Sequence, residues 1–160
     1  MKAVITGATS GIGKEMAIYL SRRGWSLILT GRNAAALQTL ADELPTPVET
    51  IALDLSMHSA PQQLYRFCQG KGVDLLVNNA GFGVFGAFDE SPLAQELEML
   101  DVNIRALHIL TKLFLQEFKQ RNRGTILNVA SSAGFLPGPM LSSYYASKSY
   151  VIRLSLAIHE

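Results

Sequence analysis

Short apolar runs rich in branched residues alternate along this chain with longer stretches of helical period. That alternation is the sequence sign of a parallel sheet wrapped by helices. Strands are predicted at residues 3–6, 26–30, 48–53, 73–77 and 125–129, each short and mostly apolar, as strands buried on both faces are. Between them, residues 12–23 read as a helix ended by Gly24, and residues 33–44 as one capped by Asn33 with Leu37, Leu40 and Leu44 on a single stripe. Pro45 and Pro47 stop it. Residues 59–69 carry Leu64, Phe67 and Cys68 at helical spacing. Ser91 followed by Pro92 makes a cap and first-turn pair that opens a helical region reaching Arg121, with a break expected near residues 101–103. A last helix over residues 142–159 presents Tyr145, Val151, Ile152, Leu154, Leu156 and Ile158 as its apolar stripe. The long irregular segments, 81–91 and 132–141, both follow strands. Right-handed crossovers place such loops at the carboxyl ends of the strands, where open parallel sheets bind ligands.

Composition narrows the classes without altering that layout. The 160 residues are 48% hydrophobic, with 14 Lys and Arg against 13 Asp and Glu. This is the balance of an ordinary globular protein, and the length matches one domain over residues 1–160. At this size a core can cover roughly 70% of the surface that the unfolded chain exposes. The single cysteine, Cys68, excludes an intrachain disulfide and a cysteine-based metal cluster, and His58, His108 and His159 share no metal-ligand spacing, so no metal is expected. His108 reads as a helix-face side chain among apolar neighbours, and Cys68 as a packed thiol. A net charge of +1 with scattered Lys and Arg excludes the strongly basic footprint of a nucleic-acid binder. Neither a signal peptide nor eighteen consecutive apolar residues can be read, so a soluble, cytoplasmic chain without a membrane partner is expected.

The chemistry lies at the strand ends. After the first strand comes Thr6-Gly7-Ala8-Thr9-Ser10-Gly11-Ile12-Gly13 and then a helix. Gly7 permits a tight turn, Gly11 lets a diphosphate approach the backbone beside Thr9, Ser10 and Ile12, and Gly13 lets helix and strand pack closely, with the helix amino terminus attracting negative charge. The second strand ends Thr30-Gly31-Arg32-Asn33. An acidic side chain there would bind ribose hydroxyls. Gly31 supplies none, while Arg32 can meet a 2′-phosphate with a charge-assisted fork, which favours NADP over NAD. Asp54 and Leu55 follow the third strand, where an adenine ring could lie, and Asn78-Asn79-Ala80-Gly81 ends the fourth, with amides to tie strands and small residues to admit a ligand. Tyr144 and Lys148, four apart on the last helix, share a face. Lowering a phenol from near 10 toward 7 takes about 4 kcal/mol of preference for the phenolate, which a neighbouring ammonium and a cationic nicotinamide can supply together. Ser131, thirteen residues before Tyr144, could hydrogen-bond a substrate carbonyl, and Asn103 could hold a water linking Lys148 to solvent.

In their order and spacing, Thr6-Gly7 with Gly11-Ile12-Gly13, Asp54, Asn78-Asn79-Ala80-Gly81, Asn103, Ser131 and Tyr144 with Lys148 resemble the short-chain dehydrogenase/reductase family in its compact branch. The resemblance implies a Rossmann-like, doubly wound sheet with strand order 3-2-1-4-5 and a nicotinamide cofactor. It also implies hydride transfer to or from a small carbonyl or secondary alcohol substrate. Ser131 would orient the carbonyl, Tyr144 transfer the proton, Lys148 hold the ribose and lower the tyrosine pKa, and Asn103 position water. Asn78, Ala80 and Gly81, with Asp54, Leu55, Tyr144 and Lys148, would contact the cofactor. A homodimer or homotetramer is implied as well. Two further strands normally follow the last helix in this family, so the chain is expected to be incomplete at its carboxyl end. A noncatalytic NADP-binding module, and an isomerase or lyase of the same superfamily, stay open as alternatives.

Overall fold

The computed structural model describes residues 1–159. Five parallel strands, β1 (Lys2–Thr6), β2 (Ser26–Gly31), β3 (Val48–Ala52), β4 (Leu75–Asn78) and β5 (Thr125–Asn128), lie in the order β3-β2-β1-β4-β5. This is the doubly wound arrangement, reversing at β1. The helices are α1 (Gly11–Arg22), α2 (Ala34–Glu43), α3 (Ala60–Cys68), α4 (Leu93–Leu100), α5 (Leu107–Arg121) and α6 (Ser142–Ile158).

Because side chains alternate across a strand, each buried strand divides its residues between two cores. On one face Ala3, Ile5, Leu27, Leu29 and Val77 meet Ala17 of α1 and Leu37 and Leu40 of α2. On the other Val4, Ile28 and Leu76 meet Leu64 and Cys68 of α3 and Leu110, Phe114 and Phe118 of α5. Full burial of a side chain such as Leu27 or Leu37 contributes about 1.5–3 kcal/mol. A third, smaller cluster of Leu55, Ala60, Val102 and Ala106 sits beyond the strand ends.

Asn33 caps α2 as expected, its side chain accepting the Ala36 N–H at 3.0 Å. Four expectations need correcting. Burial on both faces holds for β1, β2 and β4, whereas β3 and β5 are the sheet's edges, and Leu127 of β5 is exposed. The Ser91 hydroxyl bonds Glu96 Oε1 at 2.6 Å and caps nothing; α4 starts after Pro92. Residues 101–106 do not break the long helical region. They form one wide π-helical turn that joins α4 to α5 without interruption. His108 is exposed, its Nδ1 lying 2.6 Å from the Tyr150 hydroxyl of α6. No helix among the described residues is long and apolar enough to cross a membrane.

Cys68 is buried, and burial, chiefly, pushes its thiol up to about 12. Since the thiolate is the nucleophile, iodoacetamide at pH 8 is expected to leave Cys68 unlabelled in the folded protein and to label it readily in denaturant. Rapid labelling of the folded protein would contradict this packing.

Candidate active site

A groove of about 500 Å³ runs along the carboxyl ends of the strands, lined by the turn after β1, Gly31 and Arg32, Leu53 to Leu55, Asn79 to Phe82, Val102, Val129, Ala130, Tyr144 and Lys148. Residues from seven different parts of the chain converge there, most of them because the β-to-α connections leave the sheet on that side.

The turn after β1 contributes Gly7, Thr9, Ser10, Gly11 and Ile12 to the lining. Gly7 has φ +64°, and a Cβ at Gly13 would overlap Gly7 O and Asn79 Nδ2, so Gly13 is a packing residue beneath the groove rather than part of its wall. The loop is held down from β4. Thr6 Oγ1 accepts the N–H groups of Asn79 and Ala80, each at 3.0 Å, and Asn79 Nδ2 donates to Thr6 O at 3.0 Å and Gly7 O at 3.2 Å. Asn78, expected at the cofactor, points to the opposite face. Its Nδ2 donates to Thr111 Oγ1 at 3.0 Å and Asn128 Oδ1 at 2.9 Å, tying β4 to α5 and β5. Alternation along the strand makes Asn79 the groove residue instead.

At the far end of β2 the Arg32 guanidinium is exposed and lies 3.7 Å from Glu98 of α4. Asp54 Oδ1 accepts the Ser56 N–H at 3.0 Å and hydroxyl at 2.7 Å. Burial works against the Asp54 charge, but the Ser56 bonds, with the Arg32 charge, outweigh it and hold the carboxyl below its ordinary range.

The other end of the groove is built on α6. Tyr144 and Lys148 both line it, with Nζ 5.8 Å from the Tyr144 ring centroid. Lys148 is buried, its Nζ donating to Val129 O at 2.9 Å, and burial lowers its pKa. Tyr145 packs over Gly138 and lines a separate cavity, which separates the two adjacent tyrosines by position.

Asn103 is buried within the π turn, and its amide is fully engaged. Oδ1 accepts the Phe82 N–H at 3.1 Å, while Nδ2 donates to Phe82 O at 2.9 Å and Ser147 Oγ at 3.1 Å. Ser147 passes the contact on, donating to Tyr144 O at 2.7 Å. With both amide protons committed, the side chain braces the start of the 81–91 loop, and the second lone pair of Oδ1 is what it retains for a water. Ser131 starts the short 3₁₀ turn after β5, where its Oγ accepts the Ala133 N–H at 3.1 Å. It follows directly on Val129 and Ala130 of the groove lining without being part of that lining itself.

The 81–91 and 132–141 loops are clasped by the Gly86 N–H donating to Met140 O at 2.8 Å. A Cβ at Gly83 would stand 3.3 Å from the Tyr144 ring, so this loop lies directly against the tyrosine. Around the clasp Phe85, Phe88, Leu136 and Met140 are exposed. The site therefore pairs a cradle for an elongated anionic ligand with a phenol and a buried ammonium under apolar loops.

The model of the short chain dehydrogenase family matches residues 1–160. A very-long-chain 3-oxoacyl-CoA reductase of Pyrenophora tritici-repentis is 31% identical over 166 residues, covering 98% of this chain and 49% of that protein. The chain thus spans about half the length of the curated relatives it matches. A short-chain dehydrogenase from Sphingobium yanoikuyae, solved in complex with NADPH, is 31% identical with a TM-score of 0.92, over 98% of this chain and 63% of that one. A metagenomic short-chain oxidoreductase solved with NADP is 32% identical with a TM-score of 0.91, over 98% and 74% respectively.

Proposed function

The chain belongs to the short-chain dehydrogenase family, and on that premise we propose that the intact protein is an NADP-dependent oxidoreductase acting on a carbonyl or secondary alcohol. What supports this most is the placement of Tyr144 and Lys148 in the same groove as the glycine turn. The groove fits a dinucleotide on its own geometry. The first turn of α1 holds no acidic residue, Ser10 makes no side-chain cap, and a Cβ at Gly11 would meet open space. Unsatisfied N–H groups at a helix amino terminus are thereby left to a diphosphate. When bound, the nicotinamide supplies or accepts the hydride.

This chain's residues do the rest. In the reducing direction Tyr144 donates its phenolic proton to the carbonyl oxygen, so that one hydride and one proton convert the carbonyl to an alcohol. Lys148, anchored on Val129 O and facing the Tyr144 ring, would hold a positive charge near the resulting phenolate and bind ribose hydroxyls. The Ser131 hydroxyl keeps its own proton free while capping, and turns it to the substrate oxygen. Asn103 acts through Phe82 and Ser147, fixing the loop and helix between which the substrate sits. The exposed apolar side chains above Tyr144 suit a carbonyl with an apolar chain, and the relatives' name makes a 3-oxoacyl thioester the first substrate to assay.

Arg32 gives the cofactor preference. NADPH is expected to bind more tightly than NADH, by about tenfold, as one exposed charge-assisted pair allows. Fluorescence titration of both nucleotides measures it. Equal affinities, or an Arg32→Ala variant that keeps the preference, would contradict this assignment.

A further inference from the structure

We propose that Arg105 is a positioning residue that fastens the π-helical turn to the adenine side of the groove, so that filling that side stiffens the turn bracing Tyr144. The inference rests on the oxidoreductase reading for where the adenine lies, beside Asp54 and Leu55.

A π turn has one more residue per hydrogen-bonded loop than an α turn, so its side chains fan out rather than stack. Here three of them face three parts of the site. Val102 forms groove wall and, with Ala106, packs on Leu55 and Ala60. Asn103 grips Phe82 and, through Ser147, the Tyr144 carbonyl. Arg105 reaches the other way. Its Nε donates to Asp101 Oδ1 at 2.7 Å, and its Nη2 donates to Ser56 O at 2.8 Å. An i,i+4 ion pair on a helix surface contributes little alone. The second arm is different, because it joins the turn to a backbone carbonyl 49 residues away. Ser56 is also the residue whose N–H and hydroxyl hold Asp54 Oδ1. Two runs of hydrogen bonds, Asp54–Ser56–Arg105 and Asn103–Ser147–Tyr144, are consequently joined through the backbone of the π turn that carries both Arg105 and Asn103. The planar fork serves Asp101 and Ser56 from two separate nitrogens held in one plane. A lysine keeps the charge but has a single nitrogen for both partners.

Hydrogen exchange across residues 101–106 and at Phe82, with and without saturating adenosine 2′,5′-bisphosphate, tests the link in the wild-type protein and in Arg105→Lys. The wild type is expected to exchange more slowly in this stretch, by several-fold, when the ligand is bound. Arg105→Lys should bind the ligand about tenfold more weakly and lose the ligand-dependent slowing even at saturation. A general loss of stability would raise exchange with and without ligand alike, so the difference between the two states isolates positioning. Arg105→Gln, neutral and shorter, serves should the lysine variant fail to fold. No slowing in the wild type, or slowing that persists in the variants at saturation, overturns the inference. Wild-type protein that binds neither this ligand nor NADPH overturns the oxidoreductase reading as well, so the two failures are distinguishable.

Discussion

Replacing Tyr144 with Phe lowers turnover by at least about a hundredfold, within the range that positioned proton donors contribute, and leaves NADPH affinity nearly unchanged. The ring remains to pack against Gly83, so the loop keeps its support, and only the hydroxyl proposed to exchange the proton is lost. Steady-state kinetics with a 3-oxoacyl thioester and a nucleotide titration separate the two effects, since loss confined to the chemical step appears in kcat and kcat/KM together. Tyr145→Phe is the control. It faces another cavity and should keep near wild-type turnover; the reverse pattern would move the proton donor by one residue.

Lys148→Met is expected to be the other large loss, with a different signature. Turnover should fall by about a hundredfold or more and nucleotide affinity should fall as well, because the proposed mechanism has the ammonium serve both the phenolate and the ribose. Stability should not follow. Burial lowers the Lys148 pKa, which means that the fold is carrying an unfavourably placed charge. At neutral pH methionine removes that penalty while keeping the apolar stem, so the melting temperature should hold or rise. In the wild type the same penalty lightens as pH climbs from the lowered folded value toward the ordinary 10.5, where the unfolded chain binds more protons. Stability therefore gains from this group in that window, and the variant should lack the gain. Parallel melting curves at pH 7 and pH 10 check it, and a variant that melts well below wild type at pH 7 would contradict the assignment of Lys148 as a functional rather than a supporting charge.

Both predictions start from residues that the sequence marks well, because their signals are local. A glycine turn after a first strand, Asn33 before an apolar stripe, and Tyr144 four residues before Lys148 each announce their geometry within a few positions. Register is harder to read. The fourth strand begins at Leu75 rather than residue 73, and the strand face decides that Asn78 joins α5 and β5 while Asn79 reaches the glycine loop. Nothing in the composition of residues 101–106 marks a π turn, since the extra residue changes the phase of the helix and not its makeup. That shift commits the Asn103 amide to Phe82 and Ser147, which spacing alone does not reveal. Asp101 and Arg105 do stand at pairing distance in the sequence, yet the partner that matters, Ser56, is close only once the chain is folded. Ser131 shows the same limit, its cap to Ala133 being set by the 3₁₀ turn that follows it.

In the proposed reaction a hydride passes between a nicotinamide held in this groove and a carbonyl carbon beside Tyr144. It is tested most directly by incubating the intact protein with a 3-oxoacyl thioester and NADPH deuterated at both C4 positions, then weighing the product. One deuterium is expected on the new carbinol carbon, formed in step with NADPH oxidation and lost to below detection in Tyr144→Phe. Product alcohol free of deuterium, or no oxidation of NADPH with any carbonyl substrate despite tight nucleotide binding, would contradict it.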